Sequence, residues 1–524
     1  MSEIQKPRKV ACYIPWQNMI IGAFGNVSPC SFYQGFGNDY PHIGNVNEQT
    51  IEEIWNGPGY QNLRSFMLSE EGKNGCKDCL AIKQGVCGSP ITPPSAFLEE
   101  NPAVNDSKAM KNLRQALQDV DDGKTVTAAL PASISYTNSH ACNFRCTMCY
   151  QDDSRALRLD RVKEVDQEVL TLMDTLLQVI AGGGEPFMMP IWKRFLKEYQ
   201  RERNPVLTFA TTTNGSYLDA EALELVKKFP NVILNFSLDA THKQLFEAIR
   251  LRSNWDVVHQ NLQDCLAHRG PTHNPRFYVS ACMTVMRSNF AEIPAFLRMM
   301  SRHRMPIGFS PLNVFPVDEA ITMFNDAHKD LQHFRSVLEE ARHLLATDPV
   351  LQEPSFQAFR THMDAIENIV PFGLLDIPHR EVIGTLPPVK KAAINPLEVD
   401  GIPWRVAIFG EAGGATKYWA PVERDGTFIV RLPVGTFLAS LTRRNVEPNP
   451  EADMQLTVAP DSNMIRTIIV DPLANAPVLL RLRRTIARRL PDRLKKVLRW
   501  VLGMRPKHRT LVGKQEGESK RCSA

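Results

Sequence analysis

From residue 132 to residue 311 short apolar runs alternate with helical patterns, and this alternation restricts the fold more than any other feature. The strand-like runs are residues 132–136, 176–181, 206–211, 232–238, 277–285 and 307–311. Between them, residues 191–202, 220–228, 256–268 and 293–303 repeat apolar side chains at helical spacing. Such alternation predicts a parallel sheet with right-handed crossovers. Catalytic groups then sit at the C-terminal ends of the strands.

The polar motifs fall at those ends. Cys142-Asn-Phe-Arg-Cys-Thr-Met-Cys149 follows the first run directly. Three thiolates on one tight loop can hold three irons of a [4Fe–4S] cube and leave the fourth iron open. A zinc site, or three unrelated buried cysteines, is the bland alternative. Gly182-Gly-Gly-Glu-Pro186 follows the second run. Its glycines permit positive φ and close backbone approach, so their carbonyls and Glu185 can receive an ammonium group. Thr213-Asn-Gly215 ends the third run and Ser237-Leu-Asp239 the fourth. Asp239 is a candidate substrate contact or helix cap beside Thr241, while Cys265 and Cys282 read as core residues.

Together these motifs resemble the core of a radical S-adenosylmethionine (SAM) enzyme over roughly residues 130–315. The resemblance implies an open, partial (β/α)₆ barrel, α/β in class. It also implies a [4Fe–4S] cluster on Cys142, Cys146 and Cys149 that binds SAM. Gly183, Gly184 and Glu185 then resemble the methionyl-amine grip, and Asn214 a ribose contact. Ser237 and Arg250 resemble the pair that fixes the methionyl carboxylate, which an Arg fork suits. Family members cleave SAM reductively to a 5′-deoxyadenosyl radical that takes a hydrogen from substrate. Met148 stands where many members carry an aromatic residue.

A second cysteine group precedes the core: Cys12, Cys30, Cys76, Cys79 and Cys87. Two short strands turning at Gly25 would bring Cys12 and Cys30 together. A short helix capped by Thr50 follows. Spacing alone leaves a structural Cys₄ zinc open. This module resembles the SPASM/twitch auxiliary-cluster domain, which usually follows the barrel rather than preceding it. The resemblance implies one auxiliary [4Fe–4S] cluster on Cys12, Cys30, Cys76 and Cys79, with Cys87 an alternate ligand or a bystander.

At 524 residues the chain is too long for one ordinary core. The expected partition is 1–92 auxiliary module, 93–130 linker, 131–316 barrel and 317–392 helical connector. A small all-β sandwich-like domain at 393–474, with short strands at 406–409, 427–432, 436–441, 455–458 and 465–470, and a basic amphipathic tail at 475–524 complete it. Residues 478–509 carry twelve Lys/Arg against one acid, so at a net charge of +4 the rest is mildly acidic. That balance predicts no nucleic-acid partner, and peripheral contact of the tail with an anionic membrane. The N-terminus lacks an apolar stretch and the chain lacks a ~20-residue apolar run, so a cytoplasmic location is expected. The expected partners are SAM, an electron donor such as flavodoxin or ferredoxin, and a peptide, protein or envelope-related glycan substrate. A non-catalytic metal-binding scaffold or sensor is the alternative.

Overall fold

In Phe277-Tyr-Val-Ser-Ala-Cys-Met-Thr-Val285 every second side chain is buried and the intervening ones are half-buried. A strand whose neighbours cover both faces has this pattern. The computed structural model describes residues 10–370 with short interruptions, the longest at 34–42, 80–88, 152–158, 313–318 and 322–326. It then describes six strands between residues 379 and 458. Cys87, the strand expected at 465–470 and the basic tail lie outside the described residues.

Nine strands form one sheet. β1 (Asn18–Ile21), β2 (Asn26–Ser28) and β3 (Gly44–Asn45) come from the cysteine-bearing N-terminus. After β4 (Ser133–Tyr136) and the two-residue strand β5 (Arg145–Cys146) come β6 (Gln178–Ala181), β7 (Thr208–Thr213) and β8 (Asn231–Ser237). β9 (Arg250–Leu251), β10 (Phe277–Val285) and β11 (Ile307–Pro311) complete the series. The sheet order is β11-β10-β8-β7-β6-β4-β1-β2-β3. The six strands from β4 to β11 are mutually parallel, and each new strand adds to the same side, as in a (β/α)₆ winding. One cavity is lined from five of them, so the sheet is concave on that face. The structure is thus of the α/β class with a mostly parallel sheet.

Helices cover the other face through residues spaced three and four apart. Ile191, Trp192, Phe195 and Leu196 are buried from helix Pro190–Glu198, and Ile293, Phe296, Leu297 and Met300 from helix Ile293–His303. Helix Trp255–Arg269 adds Val258, Leu262 and Cys265, which is fully buried in this core. The helix expected from Thr241 spans Lys243–Ile249. Helix Val162–Thr171 was not evident from periodicity, since it is short with few apolar positions to define a period.

The N-terminal strands extend the barrel sheet. β1 lies parallel to β4, with Asn18 opposite Ser133 and Ile21 opposite Tyr136. The Gly25 turn (φ +81°) joins β1 to antiparallel β2. Thr50 caps helix Ile51–Trp55 in a reciprocal capping box with Glu53. In the segment read as a linker, helix Lys108–Asp121 buries Ala109, Met110 and Leu113 against Ala132, Leu177 and Val206 at the foot of the barrel.

Toward the C-terminus β12 (His379–Thr385) pairs antiparallel with β15 (Thr427–Pro433). A four-stranded antiparallel sheet holds β14 (Thr416–Pro421), β13 (Arg405–Gly410), β16 (Gly435–Thr442) and β17 (Gln455–Val458). β12 and β14 are additions to the strands read from sequence.

Candidate functional site

β4 ends at Tyr136, and the loop that follows carries Cys142, Cys146 and Cys149 at the C-terminal rim of the sheet. The glycine turn after β6 is zipped onto this loop. The N–H groups of Gly182, Gly184 and Glu185 donate to the carbonyls of Tyr136 (2.9 Å), Ser139 (3.2 Å) and Ala141 (3.1 Å). Gly183 has φ +140°, and a Cβ on Gly184 would run into the carbonyl oxygens of His140 and Ala141. No other residue type fits this approach.

Glu185 is 0% exposed. Its Oε1 accepts from Thr213 Oγ1 (2.8 Å) and from the Phe187 N–H (3.1 Å), and its Oε2 from the Asn214 N–H (2.7 Å). Burial raises its pKa above the ordinary carboxylate range, and these hydrogen bonds oppose the rise. The resemblance implies that this carboxylate receives an ammonium; in the structure it serves three protein donors and holds the β6 turn to the end of β7. Asn214 turns its Nδ2 toward Cys142 Sγ (3.7 Å) and Asn143 Oδ1 (3.0 Å).

The second cysteine is tied down from the other side. β5 and β9 pair antiparallel with Cys146 opposite Arg250, and the Thr147 N–H donates to the Ile249 carbonyl (2.8 Å). Arg250 Nη1 lies 3.6 Å from Cys146 Sγ, and Nη2 forms an ion pair with Asp239 Oδ2 at 2.6 Å. Asp239 Oδ1 accepts from the Thr284 N–H (2.8 Å). Asp239 was read as a substrate contact or a cap at Thr241. Glu292 takes the Thr241 N–H (3.0 Å), and Asp239 is committed to Arg250 at 0% exposure. A lone acid ending an apolar strand was the signal that marked it. Burial pushes the Cys146 thiol up to about 11, with Arg250 pulling the other way and Cys149 and Cys142 adding to the rise. The Cys149 N–H donates to the Cys146 carbonyl (3.1 Å), which turns the loop tightly between these two cysteines.

Ser237 ends β8, where its Oγ accepts from Cys282 Sγ at 3.8 Å. Cys282 departs from its core assignment. It is half-buried and lines a cavity of about 470 Å³ together with Thr212, Asn235, Tyr278, Ser280 and His362. The apolar/polar alternation along β10 is the signal that could have placed it there.

In the N-terminal module Cys12 sits in an apolar cluster with Trp16, Leu63 and Val120, against which Tyr33 and Cys76 pack. Burial pushes the Tyr33 hydroxyl up to about 12, with Cys76 and Cys30 adding to the rise. Cys79 is buried and its N–H donates to the Cys76 carbonyl (3.1 Å). Among the described residues no three His, Cys, Asp or Glu side chains converge on a single-ion site. In a cubane each thiolate meets its own iron.

Residues 137–300 match the family model of the radical SAM superfamily, and residues 12–80 that of SPASM, an iron–sulfur cluster-binding domain. The chain carries a radical SAM domain. Its SPASM domain stands at the N-terminus. A GTP 3′,8-cyclase of Chlorobaculum tepidum is 28% identical over 178 residues, covering 33% of this chain and 52% of that protein. The antilisterial bacteriocin subtilosin biosynthesis protein AlbA of Bacillus subtilis is 24% identical over 221 residues, covering 41% of this chain and 46% of that protein. The chain spans about half the length of these curated relatives. The crystal structure of Streptococcus suis SuiB bound to S-adenosylmethionine overlaps with a TM-score of 0.32 at 13% identity, covering 63% of this chain and 67% of that one.

The two domains imply a [4Fe–4S] cluster that works with SAM, and an auxiliary cluster. The rim of this radical SAM domain fits the first of these. Among the described residues Arg250 Nε, Thr147 Oγ1 and Ser253 Oγ are buried polar groups without hydrogen-bond partners, all on the β5–β9 side of Cys146. Orphaned donors beside thiols suit a group rich in acceptor sulfide. A bound metal would also keep a buried thiol such as Cys146 deprotonated.

Proposed function

We propose that this protein cleaves SAM reductively and modifies a peptide or protein substrate, with an envelope-related glycan as the second substrate class. The observation that carries it is the stitched cysteine loop: Cys142 meets Asn214, Cys146 meets Arg250, and the glycine turn locks the loop between them. When bound, the cluster and SAM supply one electron and a 5′-deoxyadenosyl radical. The chain's own groups hold the sulfurs and orient SAM from a rim of Gly183, Gly184, Glu185, Asn214, Ser237 and Arg250. The barrel wall keeps water from the radical.

The cavity beside Ser237 supports an uncharged reacting group. Its described polar lining includes Thr212, Asn235, Tyr278, Ser280, Cys282 and His362, which offer hydroxyls, an amide, a thiol and an imidazole. The Phe309 N–H donates to His362 Nδ1 (3.3 Å), and burial lowers the ring's pKa, which favours the neutral Nε2–H tautomer. Such a lining suits peptide or sugar hydroxyls and amides better than the triphosphate named for the cyclase relative. The name of the Bacillus subtilis relative, a bacteriocin biosynthesis protein, leans toward peptides.

In this proposal Cys12, Cys30, Cys76 and Cys79 hold the auxiliary cluster, which passes electrons or contacts substrate. A flavodoxin or ferredoxin serves as donor. The strands between 379 and 458 form the sandwich-like unit, and the tail touches anionic membranes, which sedimentation with anionic vesicles tests. Among the described residues no helix is long and apolar enough to cross a membrane.

Anaerobic reconstitution with iron and sulfide, followed by assay of 5′-deoxyadenosine and methionine, tests the central proposal. Reductant-dependent cleavage of SAM is expected. Zinc at both sites with no cleavage would favour a non-catalytic scaffold.

A further inference from the structure

The Arg250 side chain is buried, at 8% exposure, and two of its three nitrogens are already engaged within the protein. Nη1 faces Cys146 Sγ at 3.6 Å and Nη2 faces Asp239 Oδ2 at 2.6 Å. Asp239 is itself immobilised. Its Oδ1 takes the Thr284 N–H from β10 at 2.8 Å, and its carbonyl takes Asn289 Nδ2 at 2.9 Å. The β5–β9 pairing fixes the backbone of Arg250 directly opposite that of Cys146. Neither end of this relay can drift.

We propose that Arg250 raises the reduction potential of the rim cluster by donating to Cys146, and that Asp239 is the positioning residue that aims it and moderates its charge. This rests on the proposed cluster at Cys142, Cys146 and Cys149. Reduction adds one negative charge to the cluster, and hydrogen bonds to its sulfurs and local net charge set how readily that happens. The guanidinium touches the sulfur while the carboxylate stands behind it. Coulomb energy falls with distance, so the cation prevails at the sulfur and the anion trims its effect.

The test is an anaerobic redox titration of the full-length reconstituted protein without SAM, followed by electron paramagnetic resonance. The rim signal is identified as the one that Cys146→Ala removes. Arg250→Gln is expected to lower the midpoint, and Asp239→Asn, which keeps the acceptor for the Thr284 N–H, to raise it. Arg250→Lys should lie between the parent and Arg250→Gln. Shifts of opposite sign are a signature that general loosening of the site would not give. If Arg250→Gln fails to hold a cluster, Arg250→Lys at or below the parent and Asp239→Asn above it remain required. Unmoved midpoints, or both shifting the same way, overturn the proposal. So does an Arg250→Gln protein whose only defect is weaker SAM binding. Because SAM is left out, failure to form 5′-deoxyadenosine overturns the proposed function alone, while unmoved midpoints in a SAM-cleaving protein overturn this inference alone.

Discussion

At the barrel rim, three sulfurs come from eight consecutive residues, and their polar partners come from far along the chain. Asn214 arrives from the end of β7, Arg250 from β9 and Asp239 from the end of β8. The N-terminal module does the reverse. There the cysteines are scattered between residues 12 and 79, and the surroundings are apolar and aromatic, from Trp16, Tyr33 and Leu63. A site that must admit a second, polar ligand needs donors placed beside it by rigid strands. A site that only carries electrons or braces a module can be walled with rings.

That contrast breaks most visibly at the cysteines. Cys142→Ala should abolish SAM cleavage, whereas Cys12→Ala should retain it and mainly impair substrate turnover, with 5′-deoxyadenosine and product measured in the same samples. Equal loss of cleavage in both would mean the sites do not have separate roles. Next in size is Gly184→Ala. Forcing the loop away from the His140 and Ala141 carbonyls costs about 1–3 kcal/mol of strain. Should that strain fall on the SAM-binding geometry, cleavage drops by roughly tenfold or more, at about 1.4 kcal/mol per decade.

Arg64 sharpens the comparison from the other side. It is 0% exposed, its guanidinium lies 4.6 Å from the Trp55 ring, and it donates to the Pro15 (3.0 Å) and Thr125 (2.8 Å) carbonyls. Arg64→Met should cost about 2–4 kcal/mol by leaving buried carbonyls unmet. Since β1 shares a sheet with β4, both cluster signals should disappear in one thermal transition rather than two. The smallest effect is expected of Thr50→Ala, about 1 kcal/mol from the lost cap, read as a shift in Tm with cleavage at low temperature unchanged.

Local features of this chain were legible because local physics makes them. The Gly25 turn, the Thr50 cap and the Cys142–Cys149 spacing each follow from a few neighbouring residues. The partners of the sulfurs were only half legible. Asn214 and Arg250 stand out by motif, but their contact with Cys142 and Cys146 depends on which strand ends meet. Asp239 and Cys282 were misjudged because their surroundings come from other strands: Asp239, one step past a correctly read strand, meets Arg250 and β10, and Cys282, inside another, faces a cavity that exists only once five strands curve together. The pairing of β1 with β4 left no mark in either segment, because parallel partners more than a hundred residues apart share no local pattern.

That pairing also sets an order of assembly during synthesis. When the first 92 residues have left the ribosome, β1 still has an open edge, since Ser133–Tyr136 is unmade. The Trp16 indole also awaits the carbonyl of Lys124, and Trp55 that of Ala129. The N-terminal module therefore stays open until the strand that leads into Cys142 emerges. The rim closes later, once Asn214 and Arg250 have followed, so the machinery that loads iron meets one nascent chain whose two places become ready in turn.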